Sequence, residues 1–151
     1  MNDIKHFMTA SPHAIGHDQT LKLAHERMQH WGVRQLPVLD GGVLVGVISE
    51  RDIALVEAIS PSGSEATTVE EAMSSEPYAV APGDDIAKVT EQMAEHRYSC
   101  AIVVEHQKVV GVFTTTDALQ LLSGLLRGDH ASLSARQVVQ ALVPASKRSK
   151  K

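Results

Sequence analysis

Gly46-Val47-Ile48-Ser49-Glu50-Arg51-Asp52 returns 65 residues later as Gly111-Val112-Phe113-Thr114-Thr115-Thr116-Asp117. Each copy is an apolar run ending in Gly-Val-(Ile/Phe), then a hydroxyl residue, two variable positions and an aspartate. The pattern predicts a buried strand running into a turn, where the hydroxyl residue opens a helix with a carboxylate in its first turn. Two chemistries fit such a corner. A helix start offers free backbone N–H groups and the positive end of the helix dipole, which suit a phosphate. The hydroxyl can add a hydrogen bond, and the carboxylate can accept one from each hydroxyl of a ribose diol. The same Ser/Thr-x-x-Asp spacing is also a variant of the capping box, which satisfies the helix's own N–H groups and binds nothing.

The 65-residue shift holds well beyond the corner. Met8 answers Met73, Pro12 answers Pro77, Ala14 answers Ala79, Leu21 answers Ile86, Met28 answers Met93 and Val38 answers Val103. Repetition over this length means two copies of one supersecondary unit. A unit this small is marginal alone, so the copies are expected to share their burial. Leu21, Ala24 and Met28 fall on one face of a helix predicted over 18–31 and ended by Gly32. Strands follow over 34–39 and 43–48, joined at Asp40-Gly41-Gly42, which is a good hairpin turn. Pro37 places the first of them at an edge or a strand start. In the second copy a helix is predicted over 84–96 and strands over 99–104 and 108–113, with the weaker turn Glu105-His106-Gln107 between them. Ser60-Pro61-Ser62-Gly63-Ser64 reads as the linker, and Thr67-x-x-Glu70 and Thr68-x-x-Glu71 as capping boxes beyond it. The expected division is 1–62, 63–128, and 129–151 for a short helix and basic tail.

Composition narrows the function classes. Apolar residues make up 43% and charged residues 21%, ordinary values for a globular protein. No apolar run approaches the ~18 residues of a membrane span, and the start lacks the apolar stretch of a signal peptide. With a single cysteine, Cys100, the reading is a cytoplasmic protein without an internal disulfide. Net charge is −4, and removing Lys147, Arg148, Lys150 and Lys151 leaves 10 basic against 18 acidic residues, or −8. So acidic a body is a poor nucleic-acid surface. The eight histidines are scattered without Cys-x-x-Cys or His-Glu-x-x-His, which argues against a metal centre. No nucleophile-elbow motif or other catalytic signature is present. Cys100 lies within an apolar strand, as a core thiol does.

Met8-Thr9-Ala10-Ser11-Pro12, Leu36-Pro37-Val38-Leu39-Asp40, Leu44-Val45-Gly46-Val47-Ile48-Ser49 and Val109-Val110-Gly111-Val112-Phe113-Thr114 occur in an order that resembles a cystathionine-β-synthase (CBS) domain. Two in tandem resemble a Bateman module, and the resemblance covers about residues 3 to 126. It implies an α/β (α+β) fold of two short β-α-β-β-α units, their sheets packed face to face about a pseudo-two-fold axis. It also implies two clefts that take adenosine-containing ligands. Carried over by position, Ser49 and Asp52 would serve one cleft, and Thr114 and Asp117 the other. His13-Ala14 and Tyr78-Ala79 would border the base, and Arg34, Arg51 and Arg97 near the mouths could neutralise phosphates. The expected function is a non-catalytic regulatory module with no required cofactor. Its ligand would be AMP, ADP or ATP, ahead of S-adenosylmethionine. The alternative is a scaffold of the same fold whose corners act only as caps. A homodimer is expected through the helices after the corners, because Ile53 to Ile59 and Leu119 to Leu126 are apolar on more than one face.

Overall fold

A computed structural model describes residues 2–10 and 12–128. After a 3-10 turn at Ile4–His6 come β1 (Thr9–Ala10), β2 (Ile15–Gly16), α1 (Leu21–Trp31), β3 (Gln35–Asp40), β4 (Val43–Ser49) and α2 (Glu50–Ile59). Two short helices follow, α3 (Gly63–Ala66) and α4 (Val69–Ala72). The second repeat runs β5 (Ala79–Val80), α5 (Ile86–His96), β6 (Cys100–Glu105), β7 (Lys108–Thr114) and α6 (Thr115–Arg127). The helix expected within 134–143 and the basic tail lie outside the described residues.

Local chemistry sets the helix ends. Thr20 caps α1 by accepting from Leu23 N at 3.2 Å, and Asp85 caps α5 by accepting from Ala87 N at 3.2 Å. Gly32 and Gly128 close α1 and α6 in the left-handed conformation. The stretch over 60–64 runs directly into α3, whose first residue, Gly63, is buried. Neither threonine box forms. Thr68 makes no backbone cap, because its hydroxyl turns to the Glu71 carboxylate at 3.2 Å, and Thr67 ends α3 instead.

The strands make two sheets, ordered β1-β7-β6-β5 and β2-β3-β4. Both hairpins form, and the second does so with His106 and Gln107 at φ 51° and 68°, where the first has glycines. Pro37 is not on an edge strand: β3 is the middle strand of its sheet and Pro37 pairs with Val47. It costs one bond: in the second repeat Ile102 N donates to Tyr78 O at 2.8 Å, whereas Pro37 has no N–H for His13 O, and β2 pairs with β3 only at Val38 and Leu39. Cys100, Ile102 and Val112 meet Leu44, Val47, Val104 and Val109 in one apolar layer, where the two sheets face each other.

Each repeat has its own helix-covered core, and each core takes one fully buried residue, with two partly buried ones beside it, from the other repeat. Val69 is buried with Leu21, Met28, Leu36, Val38 and Ile48, while Ile4 is buried with Ile86, Met93, Val103 and Phe113. The leading segments therefore cross over. β1 adds to β7 of the second repeat, and Val47 of β4 bridges to Ser74. This crossing explains the repeated glycine. A Cβ on Gly46 would lie 2.5 Å from Met73 Sδ and 2.6 Å from Ser74 O, and one on Gly111 would meet the Met8 side chain. Backbone cannot give way as a methionine can. Gly46→Ala should cost about 1–3 kcal/mol in denaturant unfolding and Gly111→Ala clearly less; equal losses would contradict the crossing.

Candidate ligand clefts between the repeats

Both corners close as full capping boxes. Ser49 N donates to Asp52 Oδ2 at 2.9 Å and Asp52 N donates to Ser49 Oγ at 3.1 Å. Thr114 N donates to Asp117 Oδ2 at 2.8 Å, and Asp117 N donates to Thr114 Oγ1 at 3.2 Å. The cap geometry is complete, yet it leaves ligand-binding capacity. Each hydroxyl accepts in the box and keeps its O–H to donate, and each carboxylate uses Oδ2 and keeps Oδ1. All four side chains belong to half-buried residues.

The crossed connector builds a cleft beside the second corner. A cavity of about 620 Å³ is lined by Thr9, Ala10, Pro12 and His13 of the connector between β1 and β2, by Gly32 to Pro37 of the first repeat, and by Thr114 to Asp117 of the second. The walls therefore come from both repeats. His13 is stacked on Trp31 with ring centroids 3.9 Å apart and 5° between planes, and the Arg27 guanidinium lies 5.9 Å from the Trp31 ring.

A wider groove of about 1030 Å³ runs between α2, α5 and α6. Arg34, Arg51 and Arg97 reach it together with Ser49, over a floor that includes Ala54, Met93 and Leu122. The three arginines are exposed, and none forms an ion pair among the described residues. Arg34 lines both the cavity and the groove. Asp52, Tyr78, Ala14 and Ala79 line neither. Tyr78 is instead stacked on Tyr98, centroids 4.8 Å apart, and His96 also stacks on Tyr98, centroids 5.2 Å apart.

Other reactive side chains have structural explanations. Burial pushes the Cys100 thiol up to about 11, so it stays protonated at neutral pH, as a core thiol should. His17 is held between Glu70 at 3.1 Å and Asp40 at 3.4 Å, and the Glu70 hydrogen bond raises its pKa. Among the described residues no group of three or more His, Cys, Asp or Glu could hold a metal ion. None of their helices is long and apolar enough to cross a membrane.

Sequence reading missed Trp31, Val33, Tyr98 and the connector threonine Thr9. The 65-residue shift carried the signal for one pair, since it sets Val33 against Tyr98 at equivalent places in the two clefts. Nothing in periodicity marks the stacking partner of a histidine.

The chain matches the family model of the CBS domain twice, over residues 3–58 and 69–124. The CBS domain-containing protein YhcV of Bacillus subtilis (strain 168) is 29% identical over 117 residues, covering 78% of this chain and 83% of that one. The Vibrio cholerae protein AcuB has a similar structure, with a TM-score of 0.75, 28% identity, and coverage of 84% of this chain and 94% of its own. So does the CBS domain pair of protein MJ0100, solved in complex with 5′-methylthioadenosine and S-adenosyl-L-methionine. Its TM-score is 0.71 at 26% identity, covering 81% of this chain and 96% of that one. With both repeats matched and the two-sheet fold shared, this chain belongs to the CBS-domain family and carries two CBS domains in tandem.

Proposed function

We propose that this CBS pair is a regulatory module that senses an adenosine-containing ligand, with AMP, ADP or ATP ahead of S-adenosylmethionine. The observation that carries the reading is the cavity that brings His13 of one repeat beside Thr114 and Asp117 of the other. A ligand there contacts both repeats at once, so its binding free energy bears on how they are held together. Asp117 accepts from the ribose hydroxyls, the Thr114 hydroxyl donates to the ligand, and Arg34 neutralises an anionic end at the mouth. By the repeat, Ser49 and Asp52 hold the corresponding places at the other corner, where Ser49, Arg51 and Arg97 line the wider groove while Asp52, Tyr78 and Ala79 stand outside it. The MJ0100 pair, whose two bound ligands both contain adenosine, supports this ligand class. In this reading the chain is cytoplasmic, performs no catalysis, and acts as a homodimer through α2 and α6.

A second reading also has an observation in its favour: the two boxes are complete without any ligand. In that case the fold is a scaffold and its corners are caps. Thermal unfolding separates the two, since a ligand at 100 times its dissociation constant adds roughly 2.7 kcal/mol to the folded state. Asp52→Ala and Asp117→Ala should each lose about 0.5–2 kcal/mol as caps. Under the sensing reading Asp117→Ala also loses nucleotide affinity in calorimetry. Destabilised variants that bind nucleotide as tightly as wild type would leave only the scaffold.

A further inference from the structure

We infer that the two clefts are unequal: the ligand is held in the first, between His13 and Asp117, and Pro37 reserves the His13 carbonyl for the ligand's amino group. This rests on the reading of the clefts as ligand sites. Shifted by 65 residues, the first-cleft positions Gly32, Val33, Pro37 and Thr116 become Arg97, Tyr98, Ile102 and Arg51, of which Arg97, Tyr98 and Arg51 line the wider groove. At every one of these places but one, a small wall residue gives way to a much larger one, and Pro37 gives way to a residue with an N–H. The Tyr98 ring stacks on Tyr78, so two phenols lie together where the first cleft has the short Val33 side chain.

The backbone differs in a way that bears on ligand chemistry. In the second repeat Ile102 N donates to Tyr78 O at 2.8 Å, so that carbonyl already has a partner. The counterparts are Pro37 and His13, and proline has no N–H to give. Both residues line the first cavity. Lacking the N–H that Tyr78 O receives from Ile102, the His13 carbonyl is left open to a donor from a ligand. The 6-amino group of adenine is a donor, whereas the 6-oxo group of hypoxanthine presents an acceptor to an acceptor. Pro37 therefore selects the amino base by withholding an internal hydrogen bond.

Calorimetric titration of the full chain with AMP and with IMP tests both parts. The expected result is one AMP per chain, bound roughly tenfold more tightly than IMP, the scale of one well-placed hydrogen bond. Pro37→Ala restores an N–H opposite His13 and should bring the two affinities together, a change that a purely structural role would not produce. Val33→Tyr, which puts a large ring in the first cleft as Tyr98 does in the second, should abolish binding while the variant still unfolds cooperatively. Two equal sites per chain would overturn the choice of cleft and leave the sensing function standing. A preference for AMP that survives Pro37→Ala would overturn the role of Pro37, and binding lost in Asp52→Ala but kept in Asp117→Ala would overturn the assignment to the first cleft. If AMP, S-adenosylmethionine and 5′-methylthioadenosine all fail to bind, the inference and the proposed function fall together.

Discussion

Replacing Leu122 and Leu126 with glutamate is expected to convert the protein from a dimer to a monomer. Helix α6 carries five leucines and has no buried residue. Leu119, Leu122 and Leu126 are 66%, 49% and 79% exposed, and on α2 Leu55 and Ile59 are 59% and 87% exposed. Both helices follow the two corners, and both present large apolar side chains to water. Monomeric soluble proteins rarely display contiguous apolar surface of this kind, whereas subunit interfaces do. A carboxylate forced into such an interface costs several kcal/mol unless it is paired. Light scattering at micromolar concentration should give about twice 16.3 kDa for the wild type and 16.3 kDa for the double variant. A wild-type mass of 16.3 kDa would refute the dimer outright.

Phe113→Ala should be the most damaging single core substitution, with a loss of about 3–5 kcal/mol in denaturant unfolding. Phe113 is the largest fully buried side chain, 1% exposed, and its cluster includes Ile4 from the other repeat. Domains of this class have total stabilities of only about 5–15 kcal/mol, so the variant would be close to unfolding. Ile48, its counterpart in the first core, should lose about 2–5 kcal/mol on truncation to Ala. Because the sheets share an apolar layer, either change should unfold the protein in one transition. Two resolved transitions would show that the repeats fold independently.

The fold was legible where local pattern and tertiary packing agree. The face of Leu21, Ala24 and Met28 is buried as the helical spacing requires, and its repeat, Ile86, Val89 and Met93, is buried likewise. The two Ser/Thr-x-x-Asp corners form where they were read. Crossing of the leading segments was not legible, because Ile4 and Val69 are single apolar residues whose partners lie far away in sequence. No periodicity signals such contacts. Pro37 misled because the edge rule counts strands, whereas β3, though central, meets β2 only at Val38 and Leu39 and forgoes the single bond at Pro37. For the clefts, the sequence supplied the corner residues and His13. Clefts between the repeats were implied by the family resemblance, but not that His13 joins the second corner rather than its own, nor that Tyr78 and Tyr98 stack together. Those are properties of the crossed connector and of ring packing, which only coordinates define.

The central claim is that an adenosine-containing ligand sits between His13 and Asp117. A crystal of the full chain soaked with AMP tests it most directly. The account predicts density in the first cleft, with the base against His13 and Pro37, the ribose hydroxyls on the Asp117 carboxylate, and the phosphate toward Arg34. A crystal saturated with AMP that shows no nucleotide against Asp117, or nucleotide only against Asp52, would contradict it.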